Sequence, residues 1–138
     1  MMISATKIFH FEMAHALTDH PGACRNLHGH SYEMHVSVTA PELNSQGMII
    51  DFGDIKRLVK EHILDLFDHA LTLKRGTPLA QTMDSYDGKM VWLYVEPTAE
   101  NLAQEFADIL TEVFTPLGIT LSHIKLYETP TSYVTWQP

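Results

Sequence analysis

The chain has 138 residues, 45% of them hydrophobic and 19% charged, and a net charge of −8. That balance predicts one globular domain spanning 1–138 and excludes a disordered chain. Only nine Lys and Arg are spread along it, so no nucleic-acid footprint is expected, and no apolar run approaches the ~20 residues of a membrane span. The single cysteine, Cys24, cannot form an intrachain disulfide. With no export signal at the N-terminus, a reduced, cytoplasmic setting is the simplest expectation.

Residues 4–15 alternate, with Phe9, Phe11, Met13 and His15 on one face and His10, Glu12 and Ala14 on the other, which predicts a first strand. Asp19, Pro21, Gly22 and Asn26 make residues 16–27 a connecting loop. Alternation resumes at His28, with His30, Tyr32, Met34, Val36 and Val38 in phase, giving a second strand. After a turn at 41–47, Asp51 is the expected N-cap of a helix whose stripe is Phe52, Ile55, Leu58, Val59, His62, Ile63 and Leu66.

That helix should end around Asp68 and His69, and residues 74–89 show no sustained period and read as a surface excursion. Met90 to Val95 has the look of a buried strand. Thr98 then caps a second helix carrying Leu102, Phe106, Ile109, Leu110 and Val113, which Pro116 and Gly118 terminate. Residues 119–128 and 132–136 form the last two strands, separated by Thr129-Pro130. Helices between hairpin-like strand pairs imply an α+β fold, an antiparallel sheet with helices on one face. Its open edges favour association with further copies.

On an extended chain the imidazoles of His28 and His30 project to the same side, about 6–7 Å apart at Cα. His15, at the end of the neighbouring strand, would supply a third nitrogen. Three neutral imidazoles with a free fourth position describe a catalytic zinc site. Gly29 between them lets a backbone or ligand approach. For His10, His20, His35, His62 and His123 an exposed face, a loop or a helix stripe is explanation enough.

Cys24 stands four residues before His28, where a nearby cation would lower its pKa and make it a base, although a lone cysteine is more often an inert buried thiol. Asp68-His69 offers a carboxylate-oriented imidazole, or simply a histidine at the negative end of a helix dipole. Glu128 shares the apolar phase of Ile124 and Leu126, so it points inward and needs a partner. That partner is either a core-facing cation or a flat ring edge with two parallel N–H donors.

Taken together, Cys24-Arg25-Asn26-Leu27-His28-Gly29-His30, the upstream His15, Asp68-His69, Pro97-Thr98-Ala99-Glu100-Asn101 and Glu128-Thr129 resemble one family over essentially the whole chain. It is the family of 6-pyruvoyl-tetrahydropterin and 6-carboxy-tetrahydropterin synthases. The resemblance implies a tunnelling fold: an antiparallel four-stranded sheet with two helices on one face, subunits forming an oligomeric barrel, usually a hexamer of two trimers, and a pocket between subunits. It implies Zn2+ on His15, His28 and His30, Cys24 as general base with Asp68 and His69 as its partners, and Glu128 as anchor of the pterin ring.

The implied substrate is 7,8-dihydroneopterin triphosphate. The 6-carboxy reaction releases triphosphate and acetaldehyde on the route to queuosine. The alternatives are the 6-pyruvoyl reaction, which stops after triphosphate elimination, and a non-catalytic pterin- or zinc-binding oligomer. Two departures stand out. Thr72-Leu73 replaces the Leu-Asn that often follows Asp-His, and the 74–95 segment is longer than in compact members, with Lys74, Arg75 and Lys89 available to an anionic tail.

Overall fold

The computed structural model describes residues 3–138. The two strands expected first pair antiparallel as β1 (Ala5–His15) and β2 (His28–Thr39), in a register that sets His15 opposite His28 and Met13 opposite His30. Alternation predicts their faces correctly. Phe9, Phe11, Met13, Tyr32, Met34, Val36 and Val38 are buried, and His10 and Glu12 are exposed.

Helix α1 begins at Phe52 with the Asp51 carboxylate accepting the Gly53 N–H at 2.6 Å. It runs as α-helix to Val59, widens into a π-turn over Lys60–Leu64 and closes as α-helix over Asp65–Phe67. The wide turn rotates the end of the helix. Ile55, Leu58, Val59 and Ile63 are buried as the stripe requires, but Phe67 takes the inward place expected of Leu66, which is 54% exposed. Phe52, the first residue of the stripe, is exposed as well.

The sheet differs from the expected four antiparallel strands. Among the described residues it has six strands in the order β4-β3-β1-β2-β5-β6 and is mixed. Strand β3 (Ala70–Lys74) runs parallel to β1, and β4 (Met90–Leu93) runs parallel to β3. The expected helix ends at Asp68-His69 with no strand after it, because five residues are too short a run to show a period. Strand β4 is an edge strand whose Leu93 is buried, while the adjoining Tyr94 is 84% exposed.

Among the described residues there are three helices, not two. Within the expected excursion, Thr77 caps α2 (Pro78–Thr82), with Pro78 in the first turn and the Ala80 N–H on the Thr77 hydroxyl. Leu79 packs with Ala14, Ala16, Leu71 and Leu73, away from the main core. Helix α3 (Ala99–Phe114) starts as expected at Thr98, whose hydroxyl accepts the Asn101 N–H at 3.1 Å.

Gly118, at φ 72°, turns the chain out of α3 into β5 (Thr120–Thr129), which pairs with both β2 and β6 (Ser132–Trp136). Helices α1 and α3 cover one face of β1, β2 and β5, and the core lies between, with Phe106 edge-on to both Phe11 and Phe67. No helix among the described residues is long and apolar enough to cross a membrane.

Candidate active site

Where β1 ends and β2 begins, the antiparallel register brings three imidazoles together. One ring nitrogen from each of His15, His28 and His30 lies within 4.8 Å of the other two. His15 is fully buried, and its Nδ1 is 2.7 Å from the Pro97 carbonyl. A carbonyl only accepts, so Nδ1 carries the hydrogen and Nε2 presents a lone pair. The same logic applies to His28, whose Nδ1 donates to the Asn26 carbonyl at 2.6 Å.

The two bare Nε2 atoms then face each other at 3.2 Å. Glu128 Oε1 adds a third electron-rich atom, 3.5 Å from Nε2 of both His15 and His30. Lone pairs so close without a hydrogen between them repel, and either a proton or a cation is required. Burial works against the proton: it holds His15 below the ordinary imidazole range, against the Pro97 bond and the Glu128 charge that pull upward. His30 is lowered for the same reason, again against Glu128. The set fits a metal ion, with the Pro97 and Asn26 carbonyls fixing two of the rings from behind.

Under the triad lies Tyr32, stacked on Phe11 and with its hydroxyl 3.5 Å from His15 Nδ1. Burial first, and Glu128 second, push its phenol well above the ordinary range. Thr72, opposite His15 on β3, is fully buried with no hydrogen-bond partner for its hydroxyl. A Cβ at Gly29 would meet Met13 O at 3.5 Å, an ordinary contact, so this chain's own backbone does not demand glycine there.

Asp68 and His69 form the expected pair. Asp68 Oδ1 is 2.9 Å from His69 Nδ1 and also accepts the Glu12 N–H at 2.9 Å. His69 sits at φ 63°, a conformation costly for a side chain with Cβ, and its own N–H donates to Glu12 O at 2.6 Å. The imidazole is thus oriented by a carboxylate, and the His69 side chain is 75% exposed. It lines a cavity of about 360 Å³ with Glu12, His30, Ser31 and Tyr86. Lys89 is not free for an anionic tail, since its Nζ donates to Asp68 O, and Arg75 lies over the Tyr94 ring.

Cys24 lies in a short 3-10 turn, Ala23–Arg25, and is half-buried between exposed neighbours. No hydrogen bond joins it to Asp68 or His69 within the chain among the described residues. The two halves of the expected base system are fastened to different segments: the thiol to the loop before His28, the Asp68-His69 pair to the Glu12 peptide of β1. Sequence reasoning missed the segment Glu96-Pro97, which grips this loop and His15. A backbone carbonyl has no signature in a residue string.

A histidine triad at one end of a helix-backed mixed sheet defines the class: an α+β protein with a site able to hold a metal ion. A family model described as 6-pyruvoyl tetrahydropterin synthase matches residues 4–138. The chain belongs to that family. It is 35% identical over 136 residues to the 6-carboxy-5,6,7,8-tetrahydropterin synthase of Rickettsia bellii, covering 96% of this chain and 99% of that protein. To the synthase of the same name from Haemophilus influenzae it is 36% identical over 143 residues, covering 99% of each. These relatives are lyase-type enzymes.

Solved structures give the same fold. An uncharacterized Wolinella succinogenes protein superposes with a TM-score of 0.84 at 21% identity, over 98% of this chain and 97% of that one. The 6-pyruvoyl tetrahydropterin synthase of Caenorhabditis elegans superposes at 0.72 and 21% identity, over 99% and 95%.

Proposed function

We propose that this chain is a zinc-dependent lyase that converts 7,8-dihydroneopterin triphosphate to 6-carboxy-5,6,7,8-tetrahydropterin, releasing triphosphate and acetaldehyde, as a step toward queuosine. The observation that carries the reading is the pair of bare Nε2 atoms at 3.2 Å in His15 and His28, with Glu128 Oε1 close by. Full-length relatives named for the 6-carboxy reaction at 35–36% identity support the choice of product.

His15, His28 and His30 hold the ion. When bound, zinc supplies a Lewis acid that acidifies the side-chain hydroxyls of the substrate. The chain's own groups do the rest. Glu128 accepts two N–H bonds from the amidine-like edge of the pterin ring and so fixes its distance from the triad. Cys24 takes a proton from the substrate side chain as thiolate. His69, held by Asp68 through Nδ1, presents Nε2 to receive or return it.

No hydrogen bond within the described residues joins the thiol to Asp68 or His69, and in this reading the complete site lies between subunits of a homo-oligomer, a hexamer of two trimers. Open edges at β4 and β6 and the exposed Tyr94, Val95 and Tyr133 suit such assembly. The 6-pyruvoyl reaction is the second reading, favoured by the name of the family model. Purified zinc-loaded protein given 7,8-dihydroneopterin triphosphate should release triphosphate and acetaldehyde in equal amounts. Triphosphate without acetaldehyde would select the second reading, and neither product would leave a binding protein.

A further inference from the structure

Residue Glu96 stands just before α3 and 78 positions along the chain from Thr18, yet both of its carboxylate oxygens meet that residue. Oε1 accepts the Thr18 hydroxyl at 2.5 Å, and Oε2 accepts the Thr18 backbone N–H at 3.3 Å. Hydroxyl donation to a carboxylate at such a separation is a strong, charge-assisted bond. Thr18 belongs to the loop that carries Cys24, and its neighbour Leu17 donates its N–H to the Cys24 carbonyl at 2.9 Å. Two links therefore connect the Glu96 carboxylate to the backbone of Cys24.

The other end of this connection is equally well fastened. The Glu96 carbonyl accepts the Asn101 side-chain amide at 2.9 Å, the next carbonyl, Pro97 O, orients His15, and Thr98 caps α3. A single three-residue segment thus ties together the helix start, a ring of the histidine triad and the Cys24 loop. The loop's other bonds are local, among residues 17–28, and it buries little: residues 19–27 are exposed apart from Cys24, and the Ala23–Arg25 turn buries none of its residues. Without a clamp, such a loop samples many conformations, and a base misplaced by about 1 Å can cost on the order of 10²-fold in rate.

We infer that Glu96 is a positioning residue: its carboxylate, through Thr18, sets the place of the Cys24 thiol relative to the histidine triad. The inference rests on the reading of Cys24 as the base, but its physical content, the placement of the thiol, can be read without turnover. The only cysteine in the chain makes that readout unambiguous.

The experiment uses the full-length, zinc-loaded protein and Glu96→Ala, Glu96→Gln, Glu96→Asp, Thr18→Val and Thr18→Ser. Iodoacetamide alkylation of Cys24 is followed by mass spectrometry across pH 6–9, beside zinc content and the kinetic constants. Glu96→Ala and Thr18→Val should change the alkylation rate at least about threefold and lower kcat about tenfold or more. KM and zinc content should stay near wild type. Thr18→Ser, which keeps the donor, should restore most of both. Alkylation and kcat equal to wild type in Thr18→Val and Glu96→Ala would overturn the inference, as would loss of kcat that Thr18→Ser fails to restore. Should Glu96→Ala fail to fold, the Thr18 pair decides alone. Full activity of Cys24→Ala would remove the catalytic reading, and the alkylation rates would still decide whether Glu96 places the thiol.

Discussion

Alanine at His15 and alanine at His28 should both abolish metal retention, yet only the first should weaken the metal-free protein. His15 is wholly buried against His28, His30 and Tyr32, and its Nδ1–H is the donor to the Pro97 carbonyl. Truncation leaves that carbonyl unpaired, which costs about 1–3 kcal/mol, and opens a cavity worth about 2 kcal/mol more. A total near 3–5 kcal/mol is a large part of the roughly 5–15 kcal/mol that hold a domain together.

His28 is half-exposed and bonds Asn26 O at the surface, so its loss should cost the metal-free chain about 1 kcal/mol or less. On the proposed zinc site each variant loses a direct ligand, so affinity should fall by more than the ~10–100-fold typical of outer-shell changes. Metal content after gel filtration gives the first quantity, and urea unfolding of chelator-treated protein at pH 7.5 gives the second. Wild-type zinc stoichiometry in His28→Ala, or equal urea midpoints for the two variants, would refute the account of the triad.

Cys24→Ala should keep its zinc while turnover falls by about 10²-fold or more, as measured by triphosphate release. Thr98→Ala should lower stability by about 1 kcal/mol, seen as a drop in thermal midpoint, through loss of the cap on the Asn101 N–H. Tyr32 supplies a pH signature. Its folded-state pKa is raised, so above about pH 10 the unfolded chain loses the proton first, and stability falls as pH rises by up to about 1.4 kcal/mol per unit. Tyr32→Phe should remove that part of the alkaline loss, and superimposable pH–stability curves for the two proteins would contradict it. Gly118→Ala, at φ 72° with open space around it, should cost about 1 kcal/mol through backbone strain alone, measured by urea unfolding.

The strands carrying the histidine triad were legible because period-2 alternation over eleven or twelve residues fixes both face and, once paired, register. Caps were legible too: Asp51 and Thr98 each precede an apolar stripe, and each accepts the expected N–H. What escaped was short or non-local. Ala70–Lys74 is a strand only because β1 lies beside it, and its parallel pairing depends on the return path through α1. The π-turn has no local signature, so the place of Phe67 could not be read from an ideal 3.6-residue period. At the site, residue types announced the three imidazoles, but Glu96 gripping Thr18 across 78 positions is a fact of tertiary structure. The expected four-stranded antiparallel sheet is exceeded at one edge, where β3 and β4 run parallel to β1 on either side of the longer mid-chain segment.

The widened turn at Lys60–Leu64 has a bearing on chemistry at a distance. One surplus residue in a helix swings everything downstream by about 100°. Phe67 anchors the swung end under Phe106, and the chain leaves it aimed so that Asp68 and His69 land on the Glu12 peptide. Wound as an uninterrupted α-helix, the same residues would turn Leu66 inward in place of Phe67 and deliver the imidazole to another azimuth. The irregular turn thus sets the compass bearing on which the chain delivers the Asp68-His69 pair.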